Sequence, residues 1–202
     1  MKNKKLIIFT TIFFLIVNSI GSWEGKLGIF AFPLFIVLFI CYVLLFILFV
    51  RQLFLLAKEK LADKQRLITS ITLALVLTLT FFKPRGLINF DDLRGKNLLV
   101  ADYEGAGSCN STLKFKENNK FTNRDVCFGI DEITGTYYRK GDTLFFQNIA
   151  PMKMKSKYSE FAIIKTYQSP KGIYVGQLIL YKNRKDTTGL RFDITLNKLT
   201  SN

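Results

Sequence analysis

The chain contains no histidine. That absence removes the usual general base beside a serine or cysteine nucleophile, and with it the Ser–His and Cys–His pairs of covalent catalysis. It also removes the commonest zinc ligand. No G-x-S-x-G elbow and no phosphate-binding P-loop occurs anywhere in the sequence. Arginine is scarce, 8 residues against 21 lysines, so the forked, bidentate contacts of nucleic-acid readout are missing and no nucleic-acid partner is expected. Three stretches lack charge altogether, namely Leu6–Trp23, Leu27–Val50 and Leu67–Phe82. Beyond residue 97 the period of an amphipathic helix is missing instead.

The three uncharged stretches are the first positive signal. Spanning a bilayer takes about 20 apolar residues. The second stretch is long enough without help. The third is shorter, and Lys83 can extend it by reaching for the headgroups. The first follows Lys2, Lys4 and Lys5 and has two readings. It fits a retained helix, and residues 1–21 also fit a cleaved signal peptide ending near Ser19-Ile20-Gly21. The three spans are expected at about 6–23, 27–50 and 67–83. They form a helical anchor over residues 1–85, which ends at Lys83-Pro84-Arg85 and is followed by a second region, 86–202.

Charge sets the expected topology. The net charge of +14 divides into nine Lys/Arg against three Asp/Glu up to residue 82, and twenty against twelve beyond it. Arg51, Lys58, Lys60, Lys64 and Arg66 cluster between the second and third runs, while the first loop, Ser22 to Lys26, carries one charge of each sign. Lysine and arginine favour the cytoplasmic side. The N-terminus and the second loop are therefore expected in the cytoplasm, and residues 86–202 outside a multi-pass inner (cell) membrane. That orientation holds under either reading of the first run. With no ionisable residue in the runs, an anchor is expected rather than an ion path. Their Thr and Ser can bond back to their own helix.

Residues 86–202 read as short strands. Apolar and polar residues alternate in Thr112–Lys116, turn chemistry follows in Glu117-Asn118-Asn119, and Phe121-Thr122 resumes the strand. Thr134–Tyr138 and Thr143–Phe146 flank Arg139-Lys140-Gly141-Asp142 as a second hairpin. Further strands are expected at Leu98–Tyr103, Phe161–Tyr167, Tyr174–Tyr181 and Leu190–Leu196. The fold class is therefore membrane α plus soluble all-β: three N-terminal transmembrane helices, then a small antiparallel β-barrel or half-barrel built as a meander.

The cysteines sharpen one hairpin. If Glu117-Asn118-Asn119 is a three-residue loop, Phe115 faces Phe121 and Cys109 faces Cys127, all on one face of the strands. Facing cysteines on an external domain predict a disulfide; two buried free thiols are the alternative, reached by a single register slip. Cys41 reads as a small apolar residue in lipid.

The segment from Ser111 to Thr122, together with Gly135-Thr-Tyr-Tyr-Arg-Lys-Gly-Asp-Thr-Leu-Phe-Phe, resembles bacterial lipocalin-like and META-type β-domains over roughly residues 98–148. The resemblance implies a barrel that binds a small ligand or a protein and carries out no reaction. The attached membrane helices depart from that pattern.

Other features carry weaker chemistry. Asp91-Asp92 and Asp131-Glu132 are paired carboxylates in turn-like segments and read as solvated. Gly105-Ala106-Gly107-Ser108 follows a strand and opens no helix, so it is not expected to cradle phosphate. Asn110-Ser111-Thr112 is a formal glycosylation acceptor, of little meaning in a bacterial envelope protein, which the composition suggests. Lys153, Lys155 and Lys157 share one strand face. They read either as contacts to lipid headgroups or an acidic partner, or as lysines guarding an edge strand.

The expected function is that of a membrane-anchored, non-enzymatic external binding or inhibitory module, such as a toxin-immunity protein. A structural subunit of an envelope membrane complex is the alternative, and an enzyme working through carboxylates or tyrosine is the third reading. Membrane lipid is an expected partner, with either a protein partner or a small apolar ligand at the β-domain. No cofactor, metal or catalytic residue is expected.

Overall fold

The structure, a computed structural model, describes residues 2–60, 62–151, 158–166 and 174–199. Two compact units emerge, Met1–Glu24 with Phe30–Phe90, and Gly25–Ile29 with Asp91–Asn202.

The first unit is helical. Helices α1 (Lys2–Trp23), α2 (Ala31–Lys58) and α3 (Lys64–Phe82) are each long and apolar enough to cross a membrane. Their shared core is Phe13, Val17 and Ile20 of α1, Leu45 of α2, and Leu73, Val76 and Leu77 of α3. Elsewhere large apolar side chains such as Phe39, Ile47 and Phe54 remain exposed, as helices do when lipid is their solvent. Four threonines bond to their own helices: Thr10, Thr11, Thr69 and Thr72 each donate to the carbonyl four residues back. α2 starts four residues after its apolar run and continues through Arg51 to Lys58. Asp63 then caps α3, its Oδ1 accepting from the backbone N–H of Gln65 at 2.9 Å and of Arg66 at 3.2 Å. Asn18, a polar side chain within α1, has a structural use. Its amide donates to the Phe14 carbonyl, and its Oδ1 accepts from the Leu87 N–H at 2.8 Å.

The second unit is a closed barrel of eight antiparallel strands in chain order: β1 (Asn97–Glu104), β2 (Asn110–Lys116), β3 (Lys120–Val126), β4 (Ile130–Lys140), β5 (Thr143–Ala150), β6 (Phe161–Thr166), β7 (Gly176–Tyr181) and β8 (Leu190–Asn197). β8 pairs with β1 to close the sheet, with Leu99 opposite Asn197 and Ala101 opposite Ile194. Closure leaves no free edge for another chain to join. Period-two alternation sends Leu99, Ala101, Leu113, Phe115, Phe121, Leu144, Leu178, Phe192 and Ile194 inward to full burial. Each large one contributes about 1.5–3 kcal/mol. The expected barrel is therefore present, and it is fully closed.

One end is filled with rings. Phe115 packs edge-on to Tyr137 at 4.9 Å, Phe121 packs on Phe146 at 4.8 Å, and the ring of Tyr158 lies over Phe121 and Phe146 at 5.6 and 5.2 Å. Gly135 permits this, since a Cβ there would stand 2.5 Å from the Phe121 ring. This end carries the β2–β3 and β4–β5 turns. In the first, Asn119 takes the left-handed conformation (φ 58°) that closes a three-residue hairpin loop.

Alternation fails at Lys116. The position belongs to the outward face, yet only 1% of the side chain is exposed. The short helix α4 (Phe90–Leu93) and the segment after it cover it. Nζ reaches the Asp91 carboxylate at 2.9 Å and donates to the carbonyls of Asp91 (2.9 Å) and Gly95 (3.1 Å) and to Asn97 Oδ1 (3.0 Å). Asp91 also takes Lys114 at 2.7 Å. This corrects the solvated reading of Asp91. The carboxylate is the counter-ion of a buried ammonium. Burial alone would raise its pKa. The hydrogen bonds and charges of Lys114 and Lys116 outweigh burial and hold it below the ordinary aspartate value.

Two outcomes follow from this network. Replacing Lys116 by methionine removes one partner of a buried pair and should destabilise the barrel by about 3 kcal/mol, near the lower end for such pairs because Asp91 keeps some solvent. The folded-state pKa of Asp91 is depressed, so its contribution is present above the unfolded value of about 3.9 and is lost as pH falls through the lower folded pKa. Urea unfolding should thus show stability falling on acidification below about pH 4, and the slope should flatten in Asp91→Asn. A Lys116→Met variant within 0.5 kcal/mol of the parent, on the order of an ordinary surface change, would contradict this account.

Candidate functional site

The end of the barrel opposite the aromatic plug is open. It carries the β1–β2, β3–β4 and β7–β8 connections, and it holds a cavity of about 720 Å³, within the range of small-molecule sites. The parity that drives Phe115 and Phe121 inward also drives Ser111, Asn123 and Asp125 inward, further along the same two strands. Ser111 stands opposite Asp125, and Leu113 opposite Asn123. The floor of the cavity is therefore polar, while Tyr103, Ile133, Leu180 and Phe192 form apolar walls. Tyr103 and Phe192 pack ring to ring at 5.6 Å.

The floor is densely functional. The Ser111 hydroxyl donates to Asn123 Oδ1 at 2.9 Å, with both side chains buried. Burial raises the pKa of Asp125. The Ser111 hydroxyl opposes that shift, and the like charge of Asp131, its cross-strand partner, adds to it. Tyr158 brings its ring onto the aromatic plug and its hydroxyl to the floor. That oxygen is buried and makes no hydrogen bond of ordinary geometry. Burial, then the Asp125 charge, drives its pKa far above the usual phenol value, with the Asn123 side chain acting the other way. Buried hydroxyls are nearly always satisfied, so one that faces a cavity is a group waiting for a partner.

The rim is built as carefully. Two residues beyond the Ser111–Asp125 pair, the structure joins Cys109 to Cys127, with Cα atoms 4.3 Å apart. In the chain-entropy model a loop of this size contributes about 3 kcal/mol. The link ties together the β1–β2 and β3–β4 connections at the mouth. Across the mouth, Asp186 organises the β7–β8 loop. The Lys182 N–H donates to it at 3.0 Å, and the N–H groups of Gly189 and Thr188 and the Thr188 hydroxyl each donate at 3.1 Å. These bonds hold its pKa down at about 2. Gly189 takes φ +58°, and a Cβ there would meet Ile179 at 2.6 Å.

The other sequence candidates fall elsewhere. Glu132 pairs with Arg94 and so belongs to the scaffold. Gly105-Ala106-Gly107-Ser108 is a single 3-10 turn between β1 and β2. Lys153, Lys155 and Lys157 lie outside the described residues. Among the described residues, no three His, Cys, Asp or Glu side chains are placed to hold a metal ion. A second surface lies on the outer wall, where Tyr138, Phe145, Phe161 and Tyr181 form a row of rings across four strands, with centroids 4.9, 6.1 and 5.2 Å apart. The sequence reading named none of Ser111, Asn123, Asp125 or Tyr158 as a site residue. The available signal was polar residues at inward-facing positions of β2 and β3.

Compared with family models, curated proteins and solved structures, the chain matches none. Its function must be argued from its own geometry.

The geometry predicts a stability gain at position 158. Tyr158→Phe keeps the ring on Phe121 and Phe146 and removes an unsatisfied buried hydroxyl, so it should stabilise the unliganded barrel by about 1 kcal/mol, a rise in Tm of a few degrees. A loss of that size instead would show that the hydroxyl is a structural partner.

Proposed function

We propose that this protein is a membrane-anchored, non-enzymatic binding module whose barrel mouth takes a small ligand on the external side of the cytoplasmic membrane. The observation that carries the reading is the open cavity with its polar floor and the unpartnered Tyr158 hydroxyl. A scaffold without a ligand would fill that end with apolar side chains, as the opposite end is filled. The outer row of rings from Tyr138 to Tyr181 further supports contact with a protein partner, since aromatic rings are favoured at interfaces.

Three observations support the external placement. Lysine and arginine concentrate in the α2–α3 turn. The barrel carries a disulfide, which persists in oxidising compartments. Gly28 of the α1–α2 loop pairs with Ile130 of β4 through two backbone hydrogen bonds of 3.1 and 3.2 Å, so that loop and the barrel share one compartment. Alkaline phosphatase fused after the C-terminus should be active, and a fluorescent-protein fusion at Lys60 should mark the cytoplasm. The reverse pattern overturns the orientation.

The binding reading is tested with the full chain in lipid nanodiscs, screened against a small-molecule mixture by saturation-transfer NMR. Ser159 lines the mouth from a loop outside the packed core, so Ser159→Trp blocks the cavity and spares the barrel. Compounds whose signal vanishes in Ser159→Trp support the reading. A screen in which no signal depends on that substitution overturns it.

A further inference from the structure

The chemistry of the cavity floor also states the class of ligand, on the premise that the mouth is a ligand site. Asp125 is the carboxylate of the floor, and among the described residues the group that favours its charge is the Ser111 hydroxyl. Burial and the neighbouring Asp131 both act against ionisation. A cation arriving at Asp125 would relieve both, because an opposite charge favours the ionised form and a charge-assisted hydrogen bond is about twice as strong as a neutral one. An anion would meet like charge at the floor. Among the described lining residues the lysines are Lys182 and Lys185, exposed on the rim, where solvent and salt screen them. A wholly apolar ligand would strip water from Asp125 and offer no hydrogen bond to Asn123 or Tyr158.

The remaining groups fit a donor-rich head. The Tyr158 oxygen makes no hydrogen bond of ordinary geometry and has capacity to accept one. Asn123 Oδ1 takes one hydrogen bond, from Ser111, and a carbonyl oxygen has capacity for a second. The rings of Tyr103 and Phe192 lie in the wall beside the floor, where their π-faces favour a nearby cation and their apolar area favours a carbon body.

We propose that the barrel mouth binds a small amphiphilic cation, an ammonium or guanidinium head on the Asp125 carboxylate with its apolar body against Tyr103, Ile133, Leu180 and Phe192.

The test uses three probes of one shape and different charge: phenethylamine, phenethyl alcohol and 3-phenylpropionate. Each is titrated calorimetrically into the full chain in lipid nanodiscs, with empty nanodiscs as the blank. The amine should bind about ten- to a hundredfold more tightly than the alcohol, the range expected for a charged hydrogen bond in a buried site, and the carboxylate should bind most weakly. In Asp125→Asn, an isosteric change, the amine should fall to the level of the alcohol while the alcohol is unchanged. Ser159→Trp should abolish all three. Equal affinities in the parent protein, preference for the alcohol or the carboxylate, or an amine preference that survives in Asp125→Asn overturns the cationic class. That leaves the mouth as a binding site whenever the heats remain sensitive to Ser159→Trp. Absence of heat from all three probes overturns the cationic class as well, and the broader binding reading then falls only if the compound screen is also empty. The comparison of probes on the parent protein decides the matter even if the Asp125 variant fails to fold.

Discussion

The pairing of β8 with β1 is the contact on which the rest of the barrel depends. Without it the eight strands form an open sheet with two edges and one apolar face, and no lumen exists. With it, every inward side chain is committed to a shared interior. The closure joins the last strand to the first, so it carries a large loop-closure entropy and must be offset by burial along the whole sheet. The fully buried residues at the seam do this: Leu99 and Ala101 on one side, Phe192 and Ile194 on the other. A register shift between Val100 and Ala101 falls at this same seam, as irregularities often do where a sheet must bend to close.

Closure also divides the interior into two chemistries. Large rings on β2, β3, β4 and β5 fill the end with the tight turns, and Tyr158 is the boundary, its ring on the apolar side and its oxygen on the polar side. The opposite end uses the same strands and the same parity with small and polar residues. The difference in side-chain volume between Phe115 and Ser111, or between Phe121 and Asp125, is what leaves the cavity. The disulfide and the Asp186 turn then act on the rim, where the strands end and the connections would otherwise move. Both order the mouth before any ligand arrives, which lowers the entropy lost on binding.

Much of this was legible in the sequence, and the limits are physical. The three helices were legible because long uncharged runs have one common explanation. The strands were legible because alternation has period two, and the β2–β3 register followed from the three-residue loop: Phe115 does face Phe121. Lys116 was not legible as a buried residue. Alternation assigns it to the outside, and only the tertiary placement of α4 covers it, so Asp91 was read as solvated for the same reason. The start of α2 was displaced because Leu27 and Ile29 continue the apolar run, while Gly28 is held in a backbone bridge that no local pattern announces. The site residues were within reach, since Ser111, Asn123 and Asp125 share the inward parity of Phe115. Tyr158 was not, because it stands outside the strands and its position depends on the finished barrel.

That last group shows where a sequence and its fold disagree usefully. A chain selected for stability alone would place leucine or valine at Asn123 and Asp125 and phenylalanine at position 158. Asp125 and Tyr158 oppose folding, through desolvation of the carboxylate, through like charge from Asp131, and through the unpaired hydroxyl. Such costs persist where function requires them. They converge on one cavity, while these polar groups of the barrel's outer face are matched: Lys116 with Asp91, Arg94 with Glu132, and Thr112 and Thr195 both with Asp102. That convergence of a buried carboxylate and an unpaired hydroxyl on one open cavity is the physical basis for proposing a ligand site at the barrel mouth.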